Sequence, residues 1–284
     1  MPKSFGPPNR ILVPVDASAS SLLGQEIAAA IAKKTGASVT VVHVMQETPS
    51  AFSLPTPIET ELRGMIEQRA QAIVNNARKL FEEEGVSVET ETMASGDVAD
   101  SILRFSENNY DLIVMGAHGE IQQETFALGG VTKRVMMHTT CPLLIAKKPS
   151  TLSNLLVNVD GSESAFKALG FAVKLAKTMN SRITLFNVQE RKLLELSEKT
   201  ARSVGEKILS DALSSIKEEP LKIDKRLEFG VPQDKIVEAA EKGSHDLVVL
   251  GRKGYGTVKR FLLGSVTDDV CHKARTSILI VPKT

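Results

Sequence analysis

A chain of 284 residues is long enough for two ordinary domains, each burying a core of its own. It is 42% hydrophobic and 24% charged, the balance of a soluble globular protein, and its 4% aromatic content without Trp disfavours a base-stacking nucleic-acid platform. The net charge of +1 conceals an asymmetry: residues 1–150 hold 13 Lys/Arg against 17 Asp/Glu and residues 151–284 hold 22 against 17, so the second half suits an anionic ligand better.

The opening MPKSFGPPNR has no apolar core of signal-peptide length, and no run of about 18 apolar residues follows. These absences predict a protein that is neither secreted by that route nor membrane-spanning. Cys141 and Cys271 lie far apart without companion ligands, which predicts no disulfide framework, no zinc site and a cytoplasmic setting.

In chain order, ILVPV (11–15) reads as a buried strand. Residues 18–34 place Leu22, Leu23, Ile27, Ala30 and Ile31 at helical spacing and stop at Gly36. A strand at 39–45 precedes ETPSAFSLPTPIET (47–60), whose three prolines predict a loop. Next come a helix at 59–84 closed by Gly85, a strand at 86–92, a helix at 97–108 and a strand at 111–115. A glycine-bearing loop, a helix at 131–138 and a strand at 142–147 complete the first half. KKPSTLS (147–153) reads as a linker. The second half has strands at 154–159, 182–188, 221–229, 246–250 and 277–281 with helices between, and passes from Gln189 almost directly to its next helix. Such alternation predicts an α/β fold: two tandem, doubly wound parallel sheets of five strands, with helices on both faces.

The halves are copies. RILVPVD (10–16) matches NLLVNVD (154–160), VTVVHV (39–44) matches ITLFNV (183–188), and YDLIVMG (110–116) matches HDLVVLG (245–251), at offsets of 144, 144 and 135 residues. The predicted domains are residues 1–148 and 152–284.

Ligands of open parallel sheets bind beyond the carboxyl ends of the strands. Those ends are Asp16, Val44 and Gly116 in the first half, and Asp160, Val188 and Gly251 in the second. A carboxylate at Asp160 or Asp16 suits a ribose hydroxyl or an adenine amino group equally as it suits a helix cap or an ordered turn. Gly251, Gly254, Gly264 and Ser265 carry more information. Glycines admit positive φ and close approach, and Gly264-Ser265 opens a helix whose free amides favour a phosphate, with the Ser265 hydroxyl as a further donor. The alternative is that the glycines shape turns and Ser265 caps its helix. Arg252, Lys253, Lys259 and Arg260 make this loop positive, as phosphate neutralisers or as a solvated loop. The first-half loop has Ala117, His118, Gln122 and Gln123 in those places, with Glu120 and Glu124 adding negative charge. Of five histidines only His118 is a candidate ligand contact, and no metal-ligand spacing, dinucleotide fingerprint, phosphate-binding lysine loop or nucleophile elbow occurs.

Gly251, Gly254, Gly264 and Ser265 spell G-x-x-G, nine residues, then G-S. With V-x-V-D, VHV and the closing strands CPLLIAKK and TSILIVPK, the chain resembles the universal stress protein family in its tandem form. The resemblance implies an adenine nucleotide alpha hydrolase-like fold with sheet order 3-2-1-4-5. It implies ATP, AMP or ADP as ligand, with Mg accompanying ATP. Asp160 and Val188 would hold adenine and ribose; Gly251, Arg252, Gly254, Gly264, Ser265 and Val266 would hold phosphates. The first-half counterparts are Asp16, Val44, Gly116, Gly119, Gly129 and Gly130. It further implies that the final strands pair, here residues 143–146 against 278–281, that two chains form a homodimer, and that a protein partner, rather than nucleic acid or membrane, reads the state.

Gly130 stands where the family pattern has Ser or Thr, so the expectation is a competent second site and a weak, altered or empty first one. Two other readings follow from the same residues. One is slow Mg-dependent ATP hydrolysis or phosphoryl transfer using Asp160, Asp268 or Asp269, although no dedicated base is evident. The other is a nucleotide-free interaction module.

Overall fold

The computed structural model describes residues 7–46, 56–119, 128–190, 197–216, 220–254 and 263–282. The first half runs β1 (Arg10–Pro14), α1 (Ala19–Thr35), β2 (Ser38–Gln46), α2 (Thr56–Glu83), β3 (Val88–Ser95), α3 (Val98–Ser106), β4 (Leu112–Gly116), α4 (Gly130–His138) and β5 (Leu143–Ala146). The second runs β6 (Asn154–Asn158), α5 (Glu163–Met179), β7 (Arg182–Gln189), α6 (Glu198–Ser214), β8 (Lys222–Phe229), α7 (Pro232–Lys242), β9 (Leu247–Gly251), α8 (Ser265–Lys273) and β10 (Ser277–Val281).

Local chemistry sets these boundaries. Ser18 accepts from the Ser21 amide to start α1, and Gly36, at φ 72°, takes the left-handed conformation that ends it. Ser162 and Asn180 do the same for α5, Asp97 caps α3 and Ser197 caps α6. Helix α2 begins at Thr56, so the predicted proline loop over 47–60 is corrected at its end: Pro57 falls in the first helical turn, where its missing N–H costs nothing. Residues 47–55 and 191–196, the rest of that loop and most of the short second-half connection, lie outside the described residues.

Each half has strand order 3-2-1-4-5, all parallel, but the two sheets merge. The order across the molecule is β3-β2-β1-β4-β5-β10-β9-β6-β7-β8, ten strands in one sheet. The seam is antiparallel: Leu143 faces Ile280, Leu144 faces Leu279 and Ile145 faces Ile278. All six side chains are at most 2% exposed, and full burial of such a side chain contributes about 1.5–3 kcal/mol.

Successive residues of each strand point to opposite faces. Ile11, Val13, Leu144, Leu155 and Leu279 join the layer under α1, α2, α5 and α6, whereas Leu12, Ile113, Ile145, Leu156 and Ile278 join the layer under α3, α4, α7 and α8. Both apolar layers run through both halves. This continuity follows from the expected pairing of the final strands, residues 143–146 against 278–281, which the apolar seam at β5 and β10 displays.

The segment read as a linker is fastened to the second half. The Asp246 carboxylate accepts from the Ser153 and Asn154 amides at 2.8 and 3.0 Å, Lys148 Nζ donates to His245 O at 3.0 Å, and Leu152 is fully buried.

Candidate functional site

Two cavities open at the carboxyl ends of the strands, one per half. The second-half cavity, about 680 Å³, is lined by Asp160, Val188, Gly251 and Gly254 from strand ends and loop, and by Gly264, Ser265 and Val266 from the start of α8. The first-half cavity, about 720 Å³, is lined by Asp16, Val44, Gly116, Gly119, Gly129 and Gly130. Both are of small-molecule size.

The two are built alike. Thr267 Oγ1 donates to Gly251 O and Thr132 Oγ1 to Gly116 O, both at 2.9 Å, which pins each helix start to its strand end. Gly264 N–H donates to Arg252 O and Gly129 N–H to Ala117 O, again both at 2.9 Å. Each loop is thereby closed on itself by one main-chain bond.

The loop glycines serve close approach rather than positive φ; the described glycines with positive φ are Gly36, Gly85, Gly161 and Gly230. A Cβ on Gly251 would come within 2.7 Å of the Ser164 main chain, and one on Gly254 within 2.5 Å of Asp160 Oδ2. The main-chain contact at Gly251 leaves no room for a side chain, so α5 can press against the loop there only because glycine stands in it, whereas a side chain at Gly254 would displace the Asp160 carboxylate. A Cβ on Gly130 meets nothing within 4 Å.

Helices α4 and α8 differ from the capped helices. Their N-cap residues are Gly129 and Gly264, and among the described residues no side chain accepts from their first amides. Ser265 is the first residue of α8 and so does not cap it, contrary to the turn-shaping alternative. Uncapped amides at a helix start, with the positive end of the dipole, present donors to an anion. Ser265 is exposed and adds its hydroxyl.

Asp160 does two things. Its Oδ1 accepts from the Ser162 amide at 2.9 Å, ordering the turn into α5, while Oδ2 lies against Gly254. Asp16 mirrors it, accepting from the Ser18 amide at 3.0 Å. A polar chain that sequence reasoning missed underlies the second cavity: Gln189 Nε2 donates to Asn187 Oδ1 at 2.7 Å, and Asn187 Nδ2 to Val159 O at 2.6 Å. His43 Nδ1 reaches Val15 O at 2.8 Å in the equivalent place. The offset of 144 residues between His43 and Asn187 was the available signal.

Arg252 is the correction among the predicted contacts. The residue is only 8% exposed and does not line the cavity; its guanidinium donates from Nη1 to Thr139 O at 2.6 Å across the seam. Burial lowers its pKa, and Nε and Nη2 have no partner among the described residues. Among the described residues of this loop, the charged side chain that lines the cavity is Lys253. Lys259, Arg260, Glu120, Gln122, Gln123 and Glu124 lie outside the described residues.

His118 lines the first cavity; burial, and then the neighbouring Lys147 charge, lower its pKa, so the ring is neutral at pH 7. Of the carboxylates considered for catalysis, Asp268 pairs with His272 on its own helix at 3.5 Å, and neither it nor Asp269 lines the cavity. Among the described residues no group of three His, Cys, Asp or Glu side chains is placed to hold a metal, and no helix is long and apolar enough to cross a membrane.

The sequence profile of the Universal stress protein family matches residues 8–147 and again residues 151–282. A universal stress protein of Methanocaldococcus jannaschii is 36% identical over 142 residues, covering 49% of this chain and 82% of that protein. The universal stress protein YxiE of Bacillus subtilis is 31% identical over 147 residues, covering 49% of this chain and 99% of its own length. The crystal structure of a universal stress protein from Archaeoglobus fulgidus superposes over 97% of this chain and 99% of its own at a TM-score of 0.78, with 23% identity, a likeness of fold. Two successive profile matches over one continuous sheet settle the affiliation: the chain is a tandem member of the universal stress protein family.

Proposed function

We propose that the second-half cavity binds ATP or another adenine nucleotide, and that the chain acts in the cytoplasm as a nucleotide-dependent regulatory protein of the stress response. The observation that carries this reading is the start of α8 at Gly264-Ser265, without a side-chain cap among the described residues, lining with Asp160 a cavity of about 680 Å³. Free amides, one hydroxyl and Lys253 would supply phosphate donors, and the Asp160 carboxylate in the same cavity suits ribose or an adenine amino group. Mg would accompany the phosphates. On this reading residues 1–148 and 152–284 are the domains. The first cavity binds nucleotide more weakly because Gly130 supplies no hydroxyl. A hydrogen bond to a charged group contributes about 1.5–3 kcal/mol, or roughly ten- to a hundredfold in affinity. A second copy of the chain and a protein partner would read the bound state.

The experiment is equilibrium titration with labelled ATP on wild type and Ser265→Asp, together with mass identification of any nucleotide released on denaturation. Saturable binding near one per chain, lost in Ser265→Asp, supports the reading. No binding at millimolar ATP overturns it.

A further inference from the structure

The C-terminal ends of the two cavity helices are held in the same way by different residues. Thr139 and Ala274, the C-cap residues of α4 and α8, are equivalent at the 135-residue offset. Each offers its carbonyl to a cation from the other half: Thr139 O to Arg252 Nη1 at 2.6 Å, and Ala274 O to Lys147 Nζ at 2.8 Å. Lys147 also donates to Cys271 O at 2.6 Å, in the last turn of α8. Because the seam is antiparallel, α8 starts at its own cavity and ends at the level of the first-half loop, where Lys147 follows β5.

We infer that Lys147 is a positioning residue for the second-half cavity, acting from the other half through α8. A cation at a helix C-terminus is favourable to the aligned peptide dipoles and satisfies the last carbonyls. With nine residues, α8 is too short to bend, so a shift at Ala274 moves Gly264-Ser265. The groups facing the Lys147 ammonium are the His118 ring from the loop after β4 and the Cys271 thiol from α8, with Asp268 one turn before Cys271. Burial lowers the Lys147 pKa to about 8, so in a reachable pH range the ammonium gives way to a neutral amine that still donates and carries no buried charge. The binding part of the inference rests on the nucleotide reading; the positioning part does not.

The test uses the full chain and NMR-detected hydrogen exchange in α8, including the Asp268 amide whose bond to Gly264 O closes the first turn. Lys147→Met is expected to speed exchange there and to weaken MgATP, each by about two- to thirtyfold, the range that a cationic helix cap spans. Lys33→Met, which breaks only an exposed pair with Glu84, is expected to change neither. Raising the pH from about 7 to about 9, through the Lys147 pKa and below the Cys271 titration, should slow exchange in α8 in wild type after correction for intrinsic exchange, because opening that returns Lys147 to water becomes less favourable, and not in Lys147→Met. That wild-type profile decides the matter even if the variant fails to fold. Unchanged exchange in α8, or a looser α8 with undiminished MgATP affinity, overturns the inference. If MgATP binds neither protein, the nucleotide reading fails, and exchange at Asp268 alone decides whether Lys147 positions the helix.

Discussion

Arg252 and Thr139 lie 113 residues apart in sequence, yet the guanidinium of one donates to the carbonyl of the other at 2.6 Å. A cation that its loop position suggests for phosphate is used to hold the end of α4. Arg252→Met should therefore appear first as lost stability. The orphaned Thr139 carbonyl costs about 1–3 kcal/mol, partly offset by removing a buried charge. Thermal unfolding should fall by a few degrees. Lys253→Ala should instead weaken ATP binding and reduce its salt dependence; the opposite pattern in the two variants would return Arg252 to the cavity.

Ser265→Asp separates stability from binding. A carboxylate in the first turn of α8 meets the positive end of the dipole and should stabilise the protein by about 0.3–1 kcal/mol. The same charge opposes a phosphate, so ATP affinity should fall at least about tenfold. Urea denaturation and ATP titration on one preparation check both signs.

Gly130→Ser tests whether one hydroxyl distinguishes the cavities. Open space surrounds that Cβ position, so the substitution should fold without strain. It should raise first-cavity affinity for ATP by about ten- to a hundredfold and move the bound ratio toward two per chain. A ratio unchanged at saturating ATP would place the difference elsewhere in the loop.

Stability should respond to alkaline pH in two opposed steps. Burial lowers the folded pKa of Lys147 to about 8, below its ordinary value of 10.5, so between these the unfolded chain binds more protons and stability rises with pH. Burial pushes the Cys271 thiol up from 9.0 to about 12, so above about pH 9 the folded chain keeps a proton that the unfolded chain loses, and stability falls. Denaturation midpoints across pH 7.5–10.5, compared in wild type, Lys147→Met and Cys271→Ala, should lose the rise in the first variant and the fall in the second.

The helix and strand alternation was legible because buried parallel strands read as short apolar runs, and because Gly36 and Gly85 mark helix ends. The strand ends together with the glycine spacing were enough to name residues that line the two cavities, such as Asp160, Val188 and Gly254 in one and Asp16, Val44 and Gly119 in the other. Arg252 departed because sequence carries charge but not direction: whether a side chain turns to the cavity or the seam depends on where α4 ends, a long-range fact. The Gln189, Asn187 and Val159 chain was hidden because two polar residues inside an apolar strand resemble an exposed edge. The start of α2 was obscured by Pro57, which breaks helices only away from their first turn.

The antiparallel seam makes the molecule two-ended. Four strand spacings, about 19 Å, separate the gap between β1 and β4 from the gap between β9 and β6, and the mouths there face opposite directions. A single flat binding partner therefore cannot cover both. The two cavities are reached from different sides of one continuous sheet.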